Sequence, residues 1–192
     1  MMGTTVAATE SDDRRKKNIV ELTRCSVSEY RGMKKLPLVV LADNVRSMHN
    51  VGSLLRTSDA FRVKEVVLAG ISGVPPHPEI SKTALGAEDS VAWRHVSDSV
   101  AEAERLKSAG CRLCVLEQAH GSIPLQEYDP GDFEGDTVLV VGNEVEGVDQ
   151  RIVDMSDVVL EIPQEGTKHS LNVAASAAIT LFHLYTKLRG KG

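Results

Sequence analysis

Three separated stretches carry side chains able to do chemistry. The first, "DNVRSMHNVGSLLRTSDA", places Asn50 near a helix start and Arg56 six residues later, with Arg46 and His49 at the same end. A helix N-terminus beside a guanidinium is an anion site, although an N-capping asparagine and a surface arginine give the same string. The second, "VVGNEVEGVDQ", sets Asn143, Glu144, Val145 and Glu146 between Gly142 and Gly147, just after an apolar run. It lacks Gly-Lys-Ser/Thr, and two carboxylates would repel phosphate, so it is no P-loop. Glycines there let backbone approach a ligand closely, and the carboxylates suit a hydroxylated or cationic one. An acidic turn without a ligand is the plain alternative. The third, "KHSLNVAASAAITLF", crowds Lys168, His169, Ser170 and Asn172 ahead of a small, apolar segment. Ser170 is expected to cap that helix with help from Asn172. Capping needs one such side chain, and this stretch offers a surplus.

The intervening sequence must position these clusters. "LPLVVLAD", "KEVVLAG", "SVAWRHV", "CRLCVLEQ", "DTVLVVGNE" and "DVVLEIP" have the β-branched, apolar character of strands. "VGSLLRTSDAFR", "HPEISKTALGA" and "SDSVAEAERLKSAG" have helical spacing, the last with a capping serine and a terminal glycine. The alternation predicts an α/β fold, a mainly parallel sheet with helices on both faces. In such sheets function gathers beyond the C-terminal strand ends, where all three clusters fall. "QEYDPGDFEGD", with five acids plus Pro and Gly, is expected to be a solvated loop. Pro163 ends a strand, and Gly166 permits a sharp turn.

Composition narrows the class. The chain has 192 residues and is 42% hydrophobic, enough for one cored domain. No apolar run is long enough to span a bilayer, and residues 1–20 show no signal-peptide core. Net charge is −5, yet residues 14–35 carry eight Lys/Arg against Glu21 and Glu29. A disordered leader over 1–13 and a basic helical arm are therefore expected over 1–35, ahead of a catalytic domain over 36–192. Such an arm can contact phosphate while an acidic body does something else; a solvated helix face is the alternative. Cys111 and Cys114 form a C-x-x-C, but no second pair completes a zinc site. Together with Cys25 they are expected to be free thiols, the pair buried in a strand, and no metal is expected. No G-x-G-x-x-G is present for a dinucleotide, which leaves a nicotinamide-dependent oxidoreductase remote.

Asn50 with Arg56, then "GNEVEG", then "IPQEGTKHSLNVAASAA" closely resemble, in order, the three motifs of the SpoU/TrmH family of SPOUT methyltransferases. The similarity runs from about Leu38 to Leu184. It implies transfer of a methyl group from S-adenosylmethionine to a ribose 2′-hydroxyl of tRNA or rRNA, with S-adenosylhomocysteine as product. It also implies a homodimer, a C-terminal trefoil knot and a cytoplasmic protein with no membrane partner. By motif, Arg56 matches the catalytic arginine and Asn50 its partner, Glu144 the second-motif glutamate, and Ser170 and Asn172 the third-motif pair. The implied cofactor loops are Leu116, Glu117 and Gln118; Gly142, Asn143 and Glu144; and Ile162 and Pro163 through Ser170 and Leu171. The first of these is placed by strand order alone. Arg14, Arg15, Lys16, Lys17, Arg46 and Lys168 are the expected RNA contacts; His169 is either another or a hydrogen-bonded structural histidine.

Methyl transfer from a sulfonium is an in-line displacement, so positioning supplies much of the acceleration. Neutralising an arginine at pH 7 costs roughly 7 kcal/mol. Arg56 is accordingly expected to anchor a phosphate or stabilise a developing alkoxide, with general base as the alternative. The rival functions are a catalytically inactive RNA-binding assembly factor of the same fold and a base-modifying SPOUT enzyme. The intact site set argues against the first and the Asn50/Arg56 pair against the second.

Overall fold

The structure, a computed structural model, describes residues 15–18, 21, 22 and 25–189. The leader at 1–13 and Arg14 lie outside the described residues. Among the described residues, seven strands form one sheet: β1 (Leu38–Asp43), β2 (Glu65–Ala69), β3 (Trp93–Val96), β4 (Arg112–Leu116), β5 (Ile123–Pro124), β6 (Thr137–Val141) and β7 (Val158–Glu161). Their order is β3-β2-β1-β6-β4-β7-β5, and every pairing is parallel. The helices are α1 (Val27–Gly32), α2 (Met48–Ala60), α3 (Pro78–Ala84), α4 (Ala87–Ser90), α5 (Ser99–Ser108), α6 (Gln150–Met155) and α7 (Val173–Leu188).

Successive residues of a strand point to opposite faces, and both faces of this sheet are covered. Leu38, Val40 and Ala42 of β1 join Leu139 and Val141 of β6 in a core shared with Leu54 and Leu55 of α2 and Leu181 and Leu184 of α7. Val39, Leu41, Val138 and Val140 face the other way, onto Ala103 and Leu106 of α5 and Ile152 of α6. This double burial is why β1 and β6 are unbroken apolar runs.

Several local expectations need correction. The basic arm is not one helix: residues 15–18 are irregular, and the helix begins only at Val27. There Ser26 accepts from the Glu29 backbone N–H while the Glu29 carboxylate accepts from the Ser26 N–H, a capping box that fixes the start. The acidic segment after β5 is only partly solvated. Tyr128 is buried, with its hydroxyl 3.4 Å from the Cys114 Sγ and its carbonyl accepting from His183 of α7. Cys114 is buried in β4, but Cys111 is half-buried just before it, and all three cysteines are free. Burial pushes the Cys114 thiol up to about 11, so it is an inert packing group.

Candidate functional site

The loops that follow β1, β6, β4 and β7, four adjacent strands, meet at one end of the sheet. The Gly142–Gly147 loop closes on itself: the Asn143 N–H donates to the Gly147 carbonyl at 2.9 Å and the Gly147 N–H donates back at 3.0 Å. Its Asn143 Oδ1 accepts from the backbone of Val145 and Glu146, while Nδ2 donates to the Asn44 carbonyl. A Cβ on Gly142 would lie 2.2 Å from the Gly147 carbonyl carbon. The glycine is thus required by the loop's own closure rather than by a ligand. Glu117 braces the same turn, accepting from the Val148 N–H at 3.1 Å.

This loop delivers Glu144 to the first turn of α2. Its carboxylate accepts from the backbone N–H groups of Arg46 (3.2 Å) and Ser47 (3.1 Å) and from Asn50 Nδ2 (2.9 Å). Burial works to raise its pKa, but the Asn50 bond and these backbone donors outweigh it and hold the group below its usual value. The anion at the α2 N-terminus is therefore Glu144 itself, not an incoming phosphate. The cap of α2 is Ser47 rather than Asn50.

Asn50, buried, also accepts from Asn172 Nδ2 at 3.1 Å. Glu144, Asn50 and Asn172 thus form a chain of hydrogen bonds linking all three sequence clusters. The α7 cap is Asn172, whose Oδ1 accepts from Ala174 and Ala175, and not Ser170 as expected. One carboxamide caps the helix with its oxygen and links the motifs with its nitrogen.

Beside this chain lies a cavity of roughly 260 Å³. Of the expected cofactor residues, Leu116, Glu117, Gln118, Gly142, Asn143, Glu144, Ile162, Ser170 and Leu171 line it; Pro163 does not. Gln164, within the expected loop from Ile162 to Leu171, lines it too, whereas Val145, Glu146, Gly147, Leu160, Glu161, Val173 and Ser176 line it and were not foreseen. For Leu160 and Glu161 the signal was their place at the end of β7, while Val173 and Ser176 enter from the start of α7. Gln118 reaches across the opening, its Nε2 donating to the His169 carbonyl at 2.9 Å. His169 therefore engages the site through its backbone. Apolar walls from Leu116, Ile162 and Leu171, with polar backbone at the strand ends, suit an adenosine-sized ligand.

Arg56 is not part of this cavity. It is exposed and makes no hydrogen bond or ion pair among the described residues. Six residues beyond Asn50 is about 240° around the helix and about 9 Å along it, so Arg56 faces away from Asn50. Arg46 and Lys168 are exposed at the site's rim, while Arg15, Lys16 and Lys17 are exposed but carry no regular structure. Among the described residues no group of three or more His, Cys, Asp or Glu is placed to hold a metal, and no helix is long and apolar enough to cross a membrane.

The model of the SpoU rRNA Methylase family matches residues 37–182. The chain is 31% identical to a tRNA (guanosine(18)-2′-O)-methyltransferase of Aquifex aeolicus, over 81% of this chain and 72% of that protein. It is 29% identical to the 23S rRNA (guanosine-2′-O-)-methyltransferase RlmB of Ralstonia nicotianae, over 79% of this chain and 59% of that one. It spans 63% of the length of a TrmH-family relative from Staphylococcus saprophyticus. Among solved structures, the SpoU methyltransferase AviRb of Streptomyces viridochromogenes in complex with AdoMet superposes with a TM-score of 0.70 at 25% identity, over 85% of this chain and 65% of that one.

Proposed function

The chain belongs to the SpoU rRNA Methylase family, and from that premise we propose that it methylates a ribose 2′-hydroxyl of tRNA or rRNA, using S-adenosylmethionine held in the strand-end cavity. The observation that carries this reading is the hydrogen-bonded chain Glu144–Asn50–Asn172 standing against that cavity. The 2′-O-methyltransferase names of the relatives from Aquifex aeolicus and Ralstonia nicotianae, and the AdoMet in the AviRb complex, support the substrate and cofactor classes.

The cofactor supplies a methyl group already activated by the sulfonium that carries it. The protein's task is then to hold the acceptor oxygen in line and to exclude misaligned poses. Both Glu144 oxygens are engaged by N–H donors, so Glu144 is a clasp that fixes the second-motif loop against α2 rather than a proton acceptor. Asn50 and Asn172 position, by the same chain, the start of α7 and the loop bearing Ser170. Ser170 lines the cavity, and its hydroxyl is the motif side chain assigned to the reacting ribose.

Arg56 completes the site from a second copy. It does not line its own cavity, and α2, which carries it, packs beside α7, whose Ile179 and Phe182 are 46% and 56% exposed. A homodimer that covers this apolar stripe brings one protomer's guanidinium to its partner's cavity, where it anchors a phosphate or stabilises the developing alkoxide. The basic residues 14–17, with Arg46 and Lys168, supply RNA phosphate contacts, and the helical end of this arm is anchored to the catalytic domain by Tyr30, which is buried in the core and donates to the Asp59 carbonyl. A knotted C-terminus fits the topology: β7 lies between β4 and β5, and the chain then returns to pack α7 on α2 and β6. The cytoplasm, where RNA substrates are met, is the compartment proposed.

The test is methylation of tRNA and rRNA by the purified protein with isotope-labelled S-adenosylmethionine, with nucleosides resolved by mass spectrometry. Label on ribose is expected, and Arg56→Lys lowers turnover at least about tenfold, since an ammonium cannot present a planar two-pronged donor. Label on a base, or none on either RNA, refutes the proposal.

A further inference from the structure

The cavity wall has an uneven charge. Glu117, Glu144, Glu146 and Glu161 line it, and among the described residues no Lys, Arg or His does. Three of these carboxylates are already engaged. Glu117 accepts from the Gln118 and Val148 N–H groups, Glu144 from Arg46, Ser47 and Asn50, and Glu161 from the Ser122 hydroxyl at 2.6 Å. Glu146 differs. Its backbone N–H is pinned to Asn143 Oδ1, which fixes where the side chain starts, while its carboxylate has no hydrogen bond or ion pair among the described residues. The residue is exposed, so water solvates this carboxylate, and among the described residues it is the one of the four not already committed to a donor.

Resting on the cofactor reading above, we propose that Glu146 sets the charge selectivity of the site, favouring the sulfonium cofactor over its neutral thioether product. Transfer forms the oxygen–methyl bond and breaks the sulfur–methyl bond. The bonding pair returns to sulfur, and the 2′-hydroxyl proton is released to solvent. The sulfur therefore passes from +1 to neutral, while the amino-acid and adenosine parts are unchanged. An unpaired carboxylate at the wall attracts the first form more than the second, by the sulfonium charge alone. Because the positive charge fades as the methyl leaves, this attraction does not accelerate the chemical step. It acts on exchange: S-adenosylmethionine is captured, and S-adenosylhomocysteine is let go.

The experiment is titration calorimetry of the full chain with S-adenosylmethionine and, separately, S-adenosylhomocysteine. It compares wild type, Glu146→Gln and, as a remote charge control, Glu104→Gln on the exposed side of α5. Wild type binds the sulfonium form more tightly. Glu146→Gln lowers that preference about two- to five-fold, the range for a solvent-accessible charge pair, by weakening S-adenosylmethionine alone. Glu104→Gln leaves it unchanged, and raising salt from about 0.05 M to about 0.5 M narrows it in wild type. Equal weakening of both ligands by Glu146→Gln would place the carboxylate on their shared amino group and overturn the proposal, as would an unchanged ratio. Absence of binding by both ligands overturns the cofactor reading and this inference together; binding with an unaltered ratio overturns this inference alone.

Discussion

At the scale of single residues, Asn172 separates stability from function. Its oxygen caps α7 and its nitrogen holds Asn50. Asn172→Ala loses both and is expected to cost about 1–2 kcal/mol of stability. Asn172→Ser keeps a capping oxygen but loses the reach to Asn50. Its thermal midpoint should stay near wild type while methyl transfer falls at least about tenfold; equal activity of the two proteins would remove the Asn50–Asn172 link from the account. Glu144 gives a second check, through pH. Its folded pKa lies below its ordinary value, so the stability it contributes is fully present above the unfolded value of about 4.3 and is lost as pH falls through the folded one. In urea unfolding, the gap between wild type and Glu144→Gln should be widest near neutrality and close as pH falls through the carboxylate range. A gap that persists in acid contradicts the clasp.

At the scale of elements, the α2–α3 contact is the sharpest constraint. Gly52 sits where a Cβ would come within 2.1 Å of Thr83 Oγ1 and 2.4 Å of the Ile80 carbonyl oxygen. Helix propensity alone makes Gly52→Ala stabilising by about 1 kcal/mol. The backbone clash reverses the sign, and a loss of about 1–3 kcal/mol is expected by denaturant titration; a stabilised variant would show that α3 moves aside freely. This contact also marks what the sequence could reveal. The strands were legible because β1 and β6 are apolar without a break, and the motif loops because polar residues follow directly on such runs. Gly52 in a helical pattern gave no hint of α3, since the pressure on it comes from residues 28 and more positions away. The cap of α7 was misassigned for a related reason: Ser170 and Asn172 are both good caps locally, and only the distant Asn50 decides between them. The short α4, α6 and β5 carry too few residues for periodicity to register.

For the whole molecule, the structure raises a question the sequence did not pose: which copy's cavity Arg56 serves. Spacing put it on the same helix as Asn50, but the helical turn points it away from the cavity that Asn50 supports. The proposed two-copy site is tested by Phe182→Glu on α7, because a charge on the proposed apolar interface should disrupt it. Sedimentation should show wild type as a dimer and the variant as a monomer that still binds S-adenosylmethionine but no longer transfers its methyl group. A wild-type monomer with full activity would return Arg56 to another role. The most direct measurement is nucleoside mass spectrometry of RNA from cells lacking this gene. The account predicts loss of one ribose 2′-O-methyl mark, restored by the wild-type gene and not by Asn172→Ser or Arg56→Ala. Ribose methylation left whole, or a missing methyl group on a base instead, would contradict it.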